Sequence, residues 1–471
     1  MIEYDFNTDI VIGLEIHVQL DTRTKLFCGC PTNGNDEPNS RTCEICLGMP
    51  GSKPKLNKRA LEYATKLCLA AGCKISPELI FSRKSYFYPD MSKNYQITQY
   101  EIPLGEKGIL KLSNGKEIRI NRVHMEEDPA ALTHPNGMAN SNFVLVDYNR
   151  SGNPLCEMVT EPDLTSPDEA RDFMKQLISI LKYLKIFDIN NGIIKADVNV
   201  SVKETNYTRV EIKNVTGFKE IEKAIEYEVQ RQKKNVSDVV LETRAWDQEN
   251  GITMSLRKKE SEEEYGYIID PDLTITDVTE EFVNEIKSSM PELAQEKSSR
   301  FVKEHGIKEE DAKIISQSKE LADLYERAMK DGISAKTAVA WVRHELNRVL
   351  NYNKKTLEEI EWDEKQMLTL LRLVEDNTIT DNVAQKILEQ LIEKPFDVEE
   401  YVEKEGLKSV SDEGELETYC KEAIEEGKKA VDDYKSGNDK AINAVVGLVM
   451  RKTRGAAKAD VVLKKIKELI D

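Results

Sequence analysis

Residues 11–20 read Val-Ile-Gly-Leu-Glu-Ile-His-Val-Gln-Leu, a strict two-residue alternation that constrains the fold more than any other stretch of the chain. In an extended strand Leu14, Ile16, Val18 and Leu20 point one way, and Gly13, Glu15, His17 and Gln19 point the other. A chain that repeats this pattern builds a sheet with one apolar face to cover and one polar face to leave open. The pattern does repeat. Residues 194–202 set Ile194, Ala196, Val198, Val200 and Val202 against Lys195, Asp197, Asn199 and Ser201. Residues 209–214 set Val210 and Ile212 against Arg209, Glu211 and Lys213, and residues 204–207 between the two runs read as a hairpin loop. Residues 122–128 alternate as well, with His124, Glu126 and Asp128 on one side.

Two helices supply the cover. Ser166-Pro167-Asp168-Glu169 is a capping box with Pro at the first helical position, and Phe173, Leu177, Ile180, Leu181 and Leu184 form one apolar stripe behind it. A second amphipathic helix is expected over residues 219–232. Near residue 290 the composition turns to Glu, Lys, Leu and Ala with helical periodicity, and a further break falls in 405–414. The expected class is therefore α+β: an antiparallel-sheet domain over 1–292, an all-α domain over 293–408 and a small helical tail over 409–471.

Directly behind the first strand stand Cys28-x-Cys30 and Cys43-x-x-Cys46, separated by twelve residues rich in Asn, Pro and Gly. Two close pairs of thiols across an irregular loop suit a closed tetrahedral Zn²⁺ site of structural type. The competing reading is four unrelated small core residues. The chain holds eight cysteines and no leader-like segment, which points to a reducing cytoplasm rather than a disulfide framework. No apolar run approaches the roughly 18–20 residues of a membrane helix.

An open face carrying Glu15, His17, Glu126, Asp197, Asn199, Glu211 and Lys213 needs positive charge among its carboxylates. Mg²⁺ prefers such oxygens, and Mg²⁺ with nearby Lys and Arg neutralises a transferring phosphoryl group. Ordinary solvated side chains on a half-exposed sheet are the alternative. No Walker A loop and no Gly-x-Ser-x-Gly elbow occur, and Cys156 reads as a buried structural thiol. The whole chain carries a net charge of −18, yet residues 435–471 hold nine basic and four acidic residues, a net of +5. Arg451, Lys452, Arg454, Lys464 and Lys465 lie there on helical segments and suit a phosphate backbone, although a solvated helix face would look the same.

Over its full length the chain resembles the B-subunit family of glutamine-dependent aspartyl/glutamyl-tRNA amidotransferases. The resemblance is carried by residues 11–20, the Cys-x-x-Cys-Leu-Gly-Met-Pro-Gly run of 43–51, and the motifs at 83–90 and 93–97. It continues through 124–128, 146–152, 195–199, 211–215 and 436–443. It implies a cradle of the glutamine synthetase/guanidino kinase type followed by helical and tail domains that engage tRNA. It implies ATP-dependent phosphorylation of the side-chain carboxylate of Glu-tRNA(Gln) or Asp-tRNA(Asn), then amidation by ammonia from an amidase A subunit held by a small C subunit. Carried over by motif, Glu15, His17, Glu126 and Glu211 are expected magnesium or metal-water ligands. Lys84, Arg150 and Lys213 are expected on phosphate or carboxylate, and Asp197, Asn199 and Asn214 as groups that orient water, ammonia or substrate. Glu127 and Asp147 are further candidates. One motif departs: where the family has Tyr-Arg-Tyr-Phe-Pro, residues 265–269 read Tyr-Gly-Tyr-Ile-Ile, with Arg257 as a candidate substitute cation. Two other readings remain at this point: an RNA-binding scaffold without chemistry, and a free-standing carboxylate–amine ligase.

Overall fold

The alternating runs pair with one another. The computed structural model describes residues 6–135, 141–188, 192–258, 265–355, 357–409 and 413–470. From edge to edge the main sheet runs Ile252–Lys258, Glu242–Asp247, Val210–Thr216, Ile194–Val202, Ile10–Gln19, Pro154–Thr160, Glu117–Glu127, Gly105–Lys111 and Lys74–Ile75. The first predicted strand sits at its centre. Every neighbouring pair is antiparallel except Val210–Thr216 with Glu242–Asp247, which is parallel and corrects the all-antiparallel expectation. The reason is the connection: helix Phe218–Lys234 lies between these two strands, and a helical crossover returns the chain in the same direction.

Alternation decides which face is buried. Leu14, Ile16 and Val18 of the central strand join Ala196, Val198, Val200 and Ile212 in one core with Phe173, Leu177, Ile221 and Ala224 of the two covering helices. Fully burying each of the Leu, Ile, Val and Phe side chains among them contributes about 1.5–3 kcal/mol. Helix Pro167–Leu184 starts as expected, with Ser166 accepting the Glu169 N–H at 3.2 Å. The reciprocal bond runs one residue further out: the Glu169 carboxylate accepts the Thr165 N–H at 2.8 Å and the Lys116 ammonium at 2.7 Å. Helix Phe218–Lys234 is not covered by apolar contact alone. Its Glu228 is fully buried, bound to Arg231 at 2.6 Å and to Thr253 Oγ1 at 2.8 Å, and this pins the two strands beyond residue 240.

The hairpin expected at 204–207 is a short 3₁₀ turn at Lys203–Thr205, with Asn206 and Tyr207 at positive φ. A second small sheet, Gly266–Ile269, Ser82–Ser85 and Tyr95–Thr98, walls the polar face. It is attached through the Ile97 N–H to Glu127 (2.9 Å) and Thr98 Oγ1 to Glu126 (3.4 Å).

The chain divides into two compact units, Met1–Leu293 and Ala294–Asp471. The second unit is helical throughout the described residues. Within it, Leu416, Cys420, Ala423, Val445, Val449, Val462 and Ile466 form a core of their own. No helix among the described residues is long and apolar enough to cross a membrane.

Candidate active site

Register builds the site. Across the sheet Glu15 stands opposite Asp197, His17 opposite both Lys195 and Glu157, Glu157 opposite His124, and Asn199 opposite Glu211. These pairs share the polar face, and they gather into two clusters. In each cluster one ligand atom per residue lies within 4.8 Å of the others.

The first cluster is His17, Glu126 and Glu157. His17 Nε2 lies 3.5 Å from Glu126 and 3.4 Å from Glu157, and His124 Nε2 lies 3.3 Å from Glu157. Burial disfavours the His17 imidazolium, but the hydrogen bond and charge of Glu157, with Glu126 and Asp197 behind it, outweigh that and push its pKa up to about 10. Glu157 moves the other way. Burial opposes its ionisation, but the two histidines hold it well below the usual carboxylate range. Lys84 overhangs this cluster from the small sheet, packed 4.7 Å from the Tyr265 ring. Burial works against its charge, and Glu126 and Glu157 raise its pKa nonetheless.

The second cluster is Glu15, Asp197 and Glu211. A bulge makes it. The register slips between Ala196 and Val198, so Lys213 and Asn214 share the space opposite Asp197. Asn214 takes φ +56°, and its N–H reaches Asp197 Oδ1 at 2.7 Å. The Lys213 ammonium lies 2.6 Å from Asp197 Oδ2 and also pairs with Glu211. Asn199 Nδ2 donates to Glu15 Oε1 at 3.0 Å. Burial, then the charge of Glu157, raises the Glu15 pKa, and Lys213 counters. Lys213 is itself held charged: burial opposes, but Asp197, Glu211 and Glu15 raise it well above the lysine range.

The donor sets fit a hard divalent cation. Five carboxylates and an imidazole face two lysines, and carboxylate oxygens a few ångströms apart match the oxygen-rich ligation of Mg²⁺. Such an ion would supply charge neutralisation for phosphate oxygens.

The structure does not bring every expected residue here. Arg150 binds Asp128 (3.2 Å) and the carbonyls of Pro129 (3.1 Å) and Ala130 (2.9 Å). Asp128 is pushed up to about 6 by burial against the charges of Arg150, Lys195 and His17. Glu127 is buried and paired with Lys93. Asp147 accepts the N–H groups of Asn39 and Asn149, each at 2.9 Å, and so tethers the cysteine loop. Gly266 pairs with Ser85, while its neighbour Tyr267 stacks on Tyr100 with centroids 3.8 Å apart. The side chain of Arg257 lies outside the described residues.

Sequence reasoning missed Glu157 and the pairing role of His124. On the polar face Glu157 sits between Leu155 and Val159, so its strand shows no polar/apolar contrast. The available signal was a single acid in the run Pro154-Leu-Cys-Glu-Met-Val159.

The four cysteines do converge, all with sulfurs within 4.8 Å of one another. Cys43 and Cys46 are 4.0 Å apart, close to the roughly 3.8 Å separation that Zn–S bonds of about 2.3 Å impose on a tetrahedron. A hydrogen bond from Cys28, then the Cys43 amide and the Lys25 charge, lower Cys46 to about 5 against burial. In the tail Lys452 pairs with Glu422 (3.0 Å), Arg454 with Glu405 (3.2 Å) and Lys465 with Glu417 (3.4 Å). Arg451 and Lys464 are exposed.

Comparison with known proteins identifies the family of the chain. Residues 10–284 match the GatB/GatE catalytic domain, and residues 323–470 match the GatB domain. A Thermodesulfovibrio yellowstonii protein is 42% identical over 475 residues, one from Methanococcus maripaludis 41% over 476, and one from Carboxydothermus hydrogenoformans 39% over 472. Each alignment covers 98% of both chains, and all three relatives are named as the B subunit of an aspartyl/glutamyl-tRNA(Asn/Gln) amidotransferase. By sequence, the chain belongs to the GatB/GatE family.

Proposed function

We propose that this chain is the B subunit of a tRNA-dependent amidotransferase. Its polar face activates the side-chain carboxylate of glutamate or aspartate misacylated onto tRNA(Gln) or tRNA(Asn). The carboxylate oxygen bonds to the γ-phosphorus of ATP as ADP leaves. Ammonia then attacks the acyl carbon, the amide forms, and phosphate departs with one of the ammonia protons. A carboxylate alone has no adequate leaving group, and acyl phosphate formation provides one.

The observation that supports this reading is the convergence of Glu15, His17, Glu126, Glu157, Asp197 and Glu211 beside two half-buried lysines, Lys84 and Lys213. Glu126, Glu157 and His17 are the Mg²⁺ ligands of one cluster, and Glu15, Asp197 and Glu211 are the acids of the other. Mg²⁺ supplies charge neutralisation for the phosphates. Lys84 and Lys213 place positive charge where the transferring group gains negative charge. Asn199 orients Glu15, and the Asn214 amide fixes Asp197. Among the described residues no thiol stands at this face to hydrolyse glutamine, in keeping with ammonia from a separate amidase subunit joined through a third, small subunit. The cysteine site holds Zn²⁺ and orders the loop beside the sheet. The helical segment 293–408 and the tail 409–471 hold the tRNA.

The test is ATP cleavage by the assembled complex. It should require Glu-tRNA(Gln) or Asp-tRNA(Asn); cleavage at equal rate with a free amino acid and no tRNA would favour a small-molecule ligase. For the tail, Arg451→Glu with Lys464→Glu should raise KM for tRNA several-fold at unchanged kcat. It should also lower the slope of log K against log salt by about one for each basic residue reversed. An unchanged slope would remove both residues from the interface.

A further inference from the structure

Lys25, three residues before the first cysteine, is fully buried at 0% exposure. Lysine is almost never fully buried without a partner of opposite charge, because the desolvation of an ammonium costs several kcal/mol. Its backbone is fixed from both sides. The Lys25 N–H donates to the Cys30 carbonyl at 2.9 Å, and the next N–H, of Leu26, donates to Gly152 at 2.8 Å. The ammonium is thereby delivered to two acceptors, Cys46 Sγ at 3.7 Å and the Tyr148 carbonyl at 3.2 Å. The one carboxylate lining the same small void, Glu127, is engaged by Lys93. The acidic group in direct contact with the Lys25 ammonium is the Cys46 sulfur. Four thiolates around one Zn²⁺ carry a net charge of −2, a costly charge to bury, and an ammonium on one of the sulfurs halves it.

We propose that Lys25 is the built-in counter-ion of the four-cysteine metal site: its buried ammonium, set against Cys46, offsets the charge of the sulfurs and sets how tightly the metal is kept. This rests on the zinc reading above. Lys25 is a positioning residue, acting through Cys46 and not by ligation. Through Tyr148 it also ties the metal site to the 145–150 segment, whose Asp147 and Asn149 hold the cysteine loop by Asn39 and Arg41. The metal site and that segment therefore share one buried charge.

The experiment uses the full chain and Zn²⁺ alone, with zinc content by elemental analysis and affinity by competition with a chromogenic chelator. Unsubstituted protein should carry one zinc. Lys25→Met keeps the length of the side chain without its charge, and should weaken zinc by about 10- to 100-fold, as loss of groups that support metal ligands does. Lys25→Arg should keep affinity close to that of the unsubstituted chain. Equal affinity in Lys25→Met, or an Arg variant as weak as the Met variant, would overturn the assignment while leaving the zinc site standing. Absence of zinc from the unsubstituted chain would overturn the zinc reading and this assignment with it. Should Lys25→Met fail to fold, Lys25→Arg carries the test alone: zinc kept supports the counter-ion role, and zinc lost overturns it.

Discussion

The two acidic clusters on the polar face are both built on carboxylates but pair them with different cations. Around Glu126 and Glu157 the partners are the imidazoles of His17 and His124, with Lys84 above. Around Glu15, Asp197 and Glu211 the partner is Lys213, bound to two of the three acids. An imidazole can give up its proton and become a ligand, whereas an ammonium held far above its ordinary pKa cannot. On the proposed assignment, the first cluster exchanges a proton for a metal ion. The second already contains its cation, the Lys213 ammonium held between Asp197 and Glu211. On the proposed function, one face of one sheet separates the binding of a metal from the binding of the group to be transferred.

The sharpest way to break this comparison is to remove one acid from the first cluster. Glu157→Gln should leave His17 and His124 without their shared partner and lower amide formation by about 10²–10³-fold or more, while ammonia production by the partner amidase persists. Activity within a few-fold of the unsubstituted complex would end the assignment of Glu157. Lys213→Met should cost about 10²-fold in kcat, yet move metal binding in the opposite direction. Three acids without their lysine attract a divalent cation more strongly, so Mg²⁺ affinity by calorimetry should rise here and fall in Glu157→Gln. A fall in both variants would mean that the clusters are equivalent.

Much of this contrast was legible in the sequence, and what was missed follows from strand geometry. Alternation located Glu15, His17, Asp197, Asn199 and Glu211, because their strands are polar on one side and apolar on the other. It could not locate Glu157, whose polar-face neighbours are apolar. It also could not foresee that Lys213 and Asn214 both address Asp197, since a bulge adds a residue that a strict period of two does not count. Arg150 and Asp147 lie in matching motifs but are engaged by carbonyl and amide groups of nearby segments. A motif reports that a residue is fixed in place, not which neighbour fixes it. The parallel strand pair likewise depends on where a helix returns the chain, which no local pattern records.

The gentlest test acts on protons. His17 has a folded-state pKa of about 10, raised from its ordinary 6.5. A group raised in this way lends its full stabilisation below its unfolded pKa and loses it as pH climbs through the folded value. Metal-free protein should therefore melt at progressively lower temperature between pH 6.5 and 10. On the proposed ligation by His17, Mg²⁺ takes the neutral imidazole, so binding expels that proton and affinity grows as pH rises through the same window. The stabilisation given by a fixed Mg²⁺ concentration, which follows RT ln(1 + [L]/Kd), then widens with pH while the metal-free curve sinks. Calorimetry in buffers of different ionisation heat should show proton release near neutral pH, and His17→Gln should abolish it. Lys213 stays charged throughout and contributes nothing to this release. Metal binding without proton release would place the ion among the lysine-held acids instead, and would reverse the roles of the two clusters.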